Sequence, residues 1–318
     1  MKKAGARRGA GATTGTGTGT STLSSGAGMK KSGQRRDPQF FEREYNARAA
    51  VPDHARHIAQ WTAQSQHARL GQPCYLDIPY GTEPAQTLDI FPARAGSGTP
   101  PVMVFIHGGY WRAMDKSDFS FLAPAFTRAG ITLAVINYRL VPSVPLEDLV
   151  RDTVAAVTWV YLNAGHYGAN PHRLTVCGHS AGGHLAALML ACQWPRWHGA
   201  LPPDVVRGAL GISGLYDLEP FITVPFLKKD LKLTPQRALA LSPAAMPPAT
   251  HAPLLTAVGG DESGEFHRQA QGLAQHWAGV FARDVPMPGH NHFSVCSALG
   301  DPASPLFAAA RALAVGQT

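Results

Sequence analysis

"LTVCGHSAGGHLAALML", Leu174 to Leu190, is the stretch on which the fold turns. An apolar run through Cys177 meets Gly178, Ser180 and Gly182 in the pattern Gly-x-Ser-x-Gly, and a helix-forming run follows at once. A sharp strand-to-helix turn leaves room only for small residues on either side of its central serine. It also presents the hydroxyl at the amino end of the helix, where partial positive charge collects. The position of the pattern, directly after a predicted strand and directly before a predicted helix, makes Ser180 a candidate nucleophile rather than a capping serine in an ordinary Gly-rich turn.

Working outward, the same texture recurs. "PVMVFI" (101–106), "ITLAVI" (131–136), "RLTVC" (173–177), "VVRGALGI" (205–212) and "LLTAV" (254–258) are continuous apolar runs, as strands buried on both faces of a parallel sheet are. Between the second and third, Leu146, Val150, Val154, Val157 and Tyr161 recur at helical spacing, with Pro171 beyond the end. Strand, helix and strand in alternation predict a right-handed wound α/β sheet. "CYLDIPYG" and "QTLDIFPA" precede it as two shorter, antiparallel strands, and residues 37–70 read as helical with Ile58, Trp61 and Ser65 on one face. The proline-rich interval 214–253 breaks the rhythm and is expected to be a cap-like insertion over the carboxyl edge of the sheet, where such folds bind ligands.

The net charge of +7 points towards nucleic acid or an anionic surface only until it is located. Residues 1–36 hold eight of the 28 basic residues and no acid, which leaves 20 basic against 21 acidic residues beyond them. That Gly/Thr-rich start is expected to be a disordered tail, with 37–318 forming the catalytic domain. It has neither the apolar core of a secretory signal nor the apolar helical face of a transit peptide. "MKKSGQRR" at Met29 echoes "MKKAGARR" at Met1, so translation is expected to start at Met29. Four scattered cysteines without metal-ligand spacing suit reduced thiols, and no apolar run has the length of a membrane span; a cytoplasmic location is the expectation.

A serine hydroxyl needs a base and a site for the developing oxyanion. "VFIHGGYW" (104–111) follows a strand, and its glycines let backbone amides near Gly108, Gly109 and Tyr110 join that of Ala181 as donors. Of 14 histidines, most lie in helices or loops remote from the last strand; His107 and His179 belong to the turns and brace them. "FARDVPMPGHNHFSV" offers His290 and His292 in the loop where this fold order places its base, and spacing alone does not separate them. "TAVGGDESGEFHRQ" (256–269) offers Asp261 and Glu262 as the orienting acid. Only one can face inward, because adjacent side chains diverge and two carboxylates in one site repel.

"HGGYW", "GHSAGG", "SGEFHRQ" and "NHFSV", with "YNARAAVPD" and "YRL", closely resemble the α/β-hydrolase arylformamidase (kynurenine formamidase) family and its esterase-like relatives from about Asp37 to the end. The resemblance implies an α/β-hydrolase fold: an eight-stranded, mostly parallel sheet with helices on both faces. It implies hydrolysis of N-formyl-kynurenine to kynurenine and formate with no cofactor and no metal, esterase activity on short acyl and aryl esters being common in such proteins. Laid on this chain, the motifs select His292, before Phe293, as the histidine and Glu262 as the acid. Asp261, the alternative acid, then becomes a solvated residue or a helix cap. Tyr110, Trp111 and Tyr216 are expected to wall a pocket for an aryl group, although Trp111 and Tyr110 would serve equally as packing beneath the loop. Asp217 is read either as a partner for a substrate amine or as a turn cap. The expected partner is a small-molecule substrate, with no nucleic acid and no membrane; a homodimer is compatible with the sequence, as is a non-catalytic binding protein on the same fold.

Overall fold

The computed structural model describes residues 37–94 and 98–317; the tail expected over 1–36 and the two alternative starts lie outside the described residues. In chain order the elements are α1 (Pro38–Tyr45), α2 (Ala47–Ala50), α3 (His54–Leu70), β1 (Tyr75–Pro79), β2 (Thr87–Phe91), β3 (Val102–Ile106), α4 (Ala123–Arg128) and β4 (Thr132–Ile136). Then come α5 (Leu146–Asn163), β5 (Leu174–His179), α6 (Ala181–Ala191), α7 (Trp194–Trp197), β6 (Ala209–Ile212), α8 (Pro225–Leu231) and α9 (Pro235–Leu241). β7 (Leu254–Gly259), α10 (Gly264–His276), β8 (Phe281–Met287), α11 (Ser294–Ala298) and α12 (Pro305–Val315) complete the chain, with short 3-10 turns between. The strands form one eight-stranded sheet in the order β1-β2-β4-β3-β5-β6-β7-β8. Pairings β1–β2 and β2–β4 are antiparallel, and the rest, from β4 to β8, are parallel.

The apolar strands feed two cores by alternation. Val102, Val104 and Ile106 of β3 join the cluster built with α5, α6 and α10, while Met103 and Phe105 join the cluster on the other face with α3, α4 and α12. A strand covered on both faces needs no polar alternate, which is why these runs are continuous in sequence. The helices start and stop where local chemistry dictates. For α12, the Ser304 side chain accepts from the Leu306 amide, Pro305 occupies the first turn and Gly316 at φ 76° ends it. β6 is shorter than the apolar run at 205–212, its first four residues leading into the strand as a loop. The amino-terminal helical stretch is broken into three pieces, with Trp61 and Ser65 of α3 buried. The interval 214–253 carries α8, α9 and two 3-10 turns rather than a strand.

Register brings the loops of the site together. Ile106 pairs with Gly178, Ile212 lies beside both His179 and Ala257, and Gly259 pairs with Met287, so β3, β5, β6, β7 and β8 end at one edge. Where α6 meets the ends of β3 and β5 the packing is backbone on backbone: a Cβ on Gly182 would lie 1.9 Å from the Ile106 carbonyl oxygen, and one on Gly178 2.0 Å from that of Gly182. Neither obstacle is a side chain that can rotate away. Gly182→Ala is therefore expected to cost more than about 3 kcal/mol in a urea unfolding experiment, or to prevent recovery of folded protein. Gly165→Ala, which meets no atom within 4 Å, should stay within about 0.5 kcal/mol of the parent.

Candidate active site

Ser180 sits between β5 and α6 at φ 56° and ψ −118°, a conformation that costs an ordinary residue energy and persists because the surroundings impose it. Its amide donates to the Ile212 carbonyl at 2.7 Å, and its carbonyl accepts from Gly183 and His184 at the start of α6. The loop after β3 is also left-handed: Gly109, Tyr110 and Trp111 have φ of 104°, 51° and 58°. A Cβ on Gly108 would lie 2.9 Å from the His179 carbonyl oxygen and 3.1 Å from the Ser180 Cβ, so only glycine allows this loop so close to the serine. Among the described residues, the amides of Gly108, Gly109, Tyr110 and Ala181 donate to no protein acceptor. Unspent donors beside a serine at a helix amino terminus are suited to receive a negatively charged oxygen.

His292 stands in the turn after β8, and its Nδ1 lies 2.6 Å from Glu262 Oε2. Both side chains are almost entirely buried, at 7% and 1% exposure. The other carboxylate oxygen of Glu262 accepts from the Gly259 amide at 2.7 Å and from the Ser213 hydroxyl. Three donors thus pin one carboxylate, which fixes the proton of His292 on Nδ1 and leaves Nε2 as an acceptor. Asp261 is exposed, and among the described residues only its amide is engaged, with the His290 carbonyl; the cap position of α10 is Ser263, so of the two readings for Asp261 the solvated one describes it. Among the described residues, His290 has a buried Nδ1 without a partner and does not line the cavity that Ser180 and His292 share. Ser213 escaped the sequence reading. Its signal was slight, a small polar residue directly after β6 in "GISG", at the same sheet edge as the other loops.

That cavity is about 180 Å³ and is walled by Ile58, Trp61, Met114, Phe119, Phe226 and Phe293, with Gly108, Gly109 and Tyr110 beside the serine. Tyr110 lines it as expected, and its hydroxyl donates to the Tyr45 carbonyl. Trp111 and Tyr216 do not, and the expectation for them is corrected. An indole N–H seeks an acceptor even in a core, and Trp111 Nε1 finds His184 Nδ1 at 3.2 Å on the inner face of α6, leaving the ring fully buried. Tyr216 is drawn under the sheet by the space two glycines leave, since Cβ atoms at Gly211 or Gly214 would meet its ring. Asp217 accepts from the Glu219 amide and pairs with Arg268, the turn-capping role. The walls come mainly from the amino-terminal helices and the segment 108–119 after β3; of the 214–253 interval, only Phe226 reaches the cavity.

His179 also lines the cavity, with Nε2 2.8 Å from the His292 carbonyl, so it ties the nucleophile turn to the histidine loop. His107 stacks on Tyr138, with ring centroids 4.4 Å apart, beneath the oxyanion loop. Among the described residues, no group of His, Cys, Asp and Glu could hold a metal ion, and no helix is long and apolar enough to cross a membrane.

The family model described as BD-FAE matches residues 88–194. Over 83% of the chain and 90% of each relative, the sequence is 26% identical to a kynurenine formamidase from Salmo salar and 27% identical to one from Danio rerio. A solved structure of a candidate thioesterase from a Silicibacter species superposes with TM-score 0.74 at 32% identity, covering 84% of this chain and 97% of that one. The chain is an arylformamidase-like α/β-hydrolase. This hydrolase keeps its accessory histidines neutral by burial. His179 is held well below the ordinary histidine range by burial first and by neighbouring His292 second; burial brings His184 to about 4.

A histidine buried neutral charges more readily once unfolded, so its contribution is complete above the unfolded pKa near 6.5 and is lost as pH falls from there towards the folded value. For His184 the window runs from 6.5 down to about 4. Urea midpoints should therefore fall between about pH 7.5 and pH 5, with His184 alone accounting for about 2 kcal/mol. In His184→Gln the fall should be smaller by that amount, whatever the variant loses at neutral pH; an unchanged fall would contradict the assignment.

Proposed function

We propose that this hydrolase cleaves an aryl formamide, N-formyl-kynurenine to kynurenine and formate, through a formyl-enzyme on Ser180. The observation that carries the reading is the shared cavity: Ser180, a histidine fixed by a pinned carboxylate, and unspent amides open into one small chamber with aromatic walls. In this mechanism His292 Nε2 takes the proton as Ser180 Oγ attacks the formyl carbon. The oxyanion is received by the amides of Gly108, Gly109, Tyr110 and Ala181, each donor contributing about 3 kcal/mol to the transition state. His292 then returns the proton to the anilide nitrogen, kynurenine leaves, and a water activated by the same ring releases formate. Glu262 holds the imidazole in its tautomer and stabilises the cation, and Ser213 holds Glu262. A formyl group is the smallest acyl group, which suits the crowded approach of Gly108 to the serine. The formamidase relatives support the choice.

A broader esterase acting on short-acyl or aryl esters would use the same residues, and the thioesterase-like neighbour at 32% identity favours it. The comparison that decides is kcat/KM for N-formyl-kynurenine against p-nitrophenyl acetate and butyrate on one preparation. The formamidase reading requires the formamide to be turned over at least as well as the esters, and it fails if the esters are far preferred. A fluorophosphonate probe should label the parent and not Ser180→Ala; absence of labelling on folded parent protein would point to a non-catalytic binding role.

The same assay tests the acid. Glu262→Ala should lower kcat by roughly a thousandfold or more, whereas Asp261→Ala should remain within a few-fold. Ser213→Ala should lower kcat by about tenfold with little change in KM, because it loosens a carboxylate that does not touch substrate.

A further inference from the structure

The lining of the cavity is electrostatically lopsided. Among the described residues it includes two arginines, Arg48 and Arg112, and no aspartate or glutamate. The bias is local, since the chain beyond residue 36 is nearly neutral. Arg112 is spoken for: its Nη1 lies 2.6 Å from Asp230 Oδ2 and 2.6 Å from the Phe226 carbonyl. Arg48 has no such partner. It is exposed, on the one-turn helix α2, and makes no ion pair or side-chain hydrogen bond among the described residues. The carboxylates on the preceding helix are turned elsewhere, Glu42 to the Phe226 amide and Glu44 to the Glu265 amide.

A guanidinium stays charged at every physiological pH and presents a planar fork that fits a carboxylate with two parallel hydrogen bonds. Left unpaired at the rim of a chamber that otherwise offers apolar walls, it discriminates between substrates by charge. We propose that Arg48 is a specificity residue that receives a carboxylate on the substrate, so that the site selects anionic aryl formamides or esters over neutral ones of the same shape. The inference rests on the hydrolase reading of the cavity but not on the choice between formamide and ester. Because the arginine is exposed, its effect is modest at physiological salt and shrinks as salt rises.

Two matched pairs test it: 3-(4-formamidophenyl)propanoate with its primary amide, and 3-(4-acetoxyphenyl)propanoate with its primary amide. Each pair keeps the reacting group and shape and changes only the charge. The parent should favour the carboxylate member by at least about fivefold in kcat/KM, mostly through KM. Arg48→Ala should bring the ratio close to one, Arg48→Glu should invert it, and Arg48→Lys should retain part of it, as a point charge without the fork would. A parent ratio near one, or a ratio that survives Arg48→Ala, overturns the proposal. If only the ester pair is hydrolysed and shows the ratio, the formamidase reading fails while the carboxylate subsite stands. If neither pair is hydrolysed, the readout is Tm: a shift by 3-phenylpropanoate larger than by 3-phenylpropanamide and abolished in Arg48→Ala supports the subsite, and equal shifts refute it.

Discussion

The site depends on how closely two backbones approach at the ends of β3 and β5. With no side chain at Gly178 or Gly182, α6 drops against the Ile106 carbonyl, and the turn between strand and helix closes tightly enough to hold Ser180 at φ 56°. The same closeness places the left-handed loop of Gly109, Tyr110 and Trp111 beside the serine. Parallel pairing makes this possible: it aligns the carboxyl ends of five adjacent strands, each followed by a loop that contributes a site residue. Strain at the serine is thereby spread over the sheet that enforces it, rather than carried by one turn.

Charge is partitioned along the cavity. Behind His292 and outside the lining, three donors compensate Glu262 for its removal from water, while His179 in the lining and His184, bonded to Trp111, are kept uncharged by burial. The rim holds one uncompensated cation among the described residues, Arg48, since Arg112 is paired with Asp230. A carbonyl held between the loop amides and His292 would meet donors where negative charge develops and a carboxylate-backed imidazole where positive charge develops, as acyl transfer requires.

Fold and site were legible to different depths. Strands covered on both faces show as unbroken apolar runs, and α5 shows by its period, so the wound sheet could be read directly. Gly178, Ser180 and Gly182 were legible because the turn tolerates almost nothing else. The choice between Asp261 and Glu262 was not local, for both leave the same strand end; what separates them is Ser213 and His292, which come from other strands. Trp111 and Tyr216 were misjudged for a related reason. Their loop positions were apparent, but their direction was set by a distant acceptor, His184, and by glycines in a neighbouring strand. The pocket walls were the least legible part, since α2 and α3 give no sign in sequence that they fold back over the sheet edge.

Those walls and the reacting groups both draw on distant parts of the chain. Residues 88–194, the portion matched by the family model, contain the turn of Ser180 and the loop of Gly108, Gly109 and Tyr110, while Glu262 and His292 lie beyond it. The chamber that decides which carbonyl is admitted draws on both portions: Tyr110, Arg112, Met114 and Phe119 come from within 88–194, and Arg48, Ile58, Trp61, Phe226 and Phe293 from outside it. Tyr45 joins these flanks directly through Glu265 and Gln269, contacts spanning 220 and 224 residues of chain. Substrate choice can therefore drift by changes at Arg48, Ile58, Trp61 and Phe226, which line the chamber without belonging to the reactive centre, and related chains with one chemistry need not share one substrate.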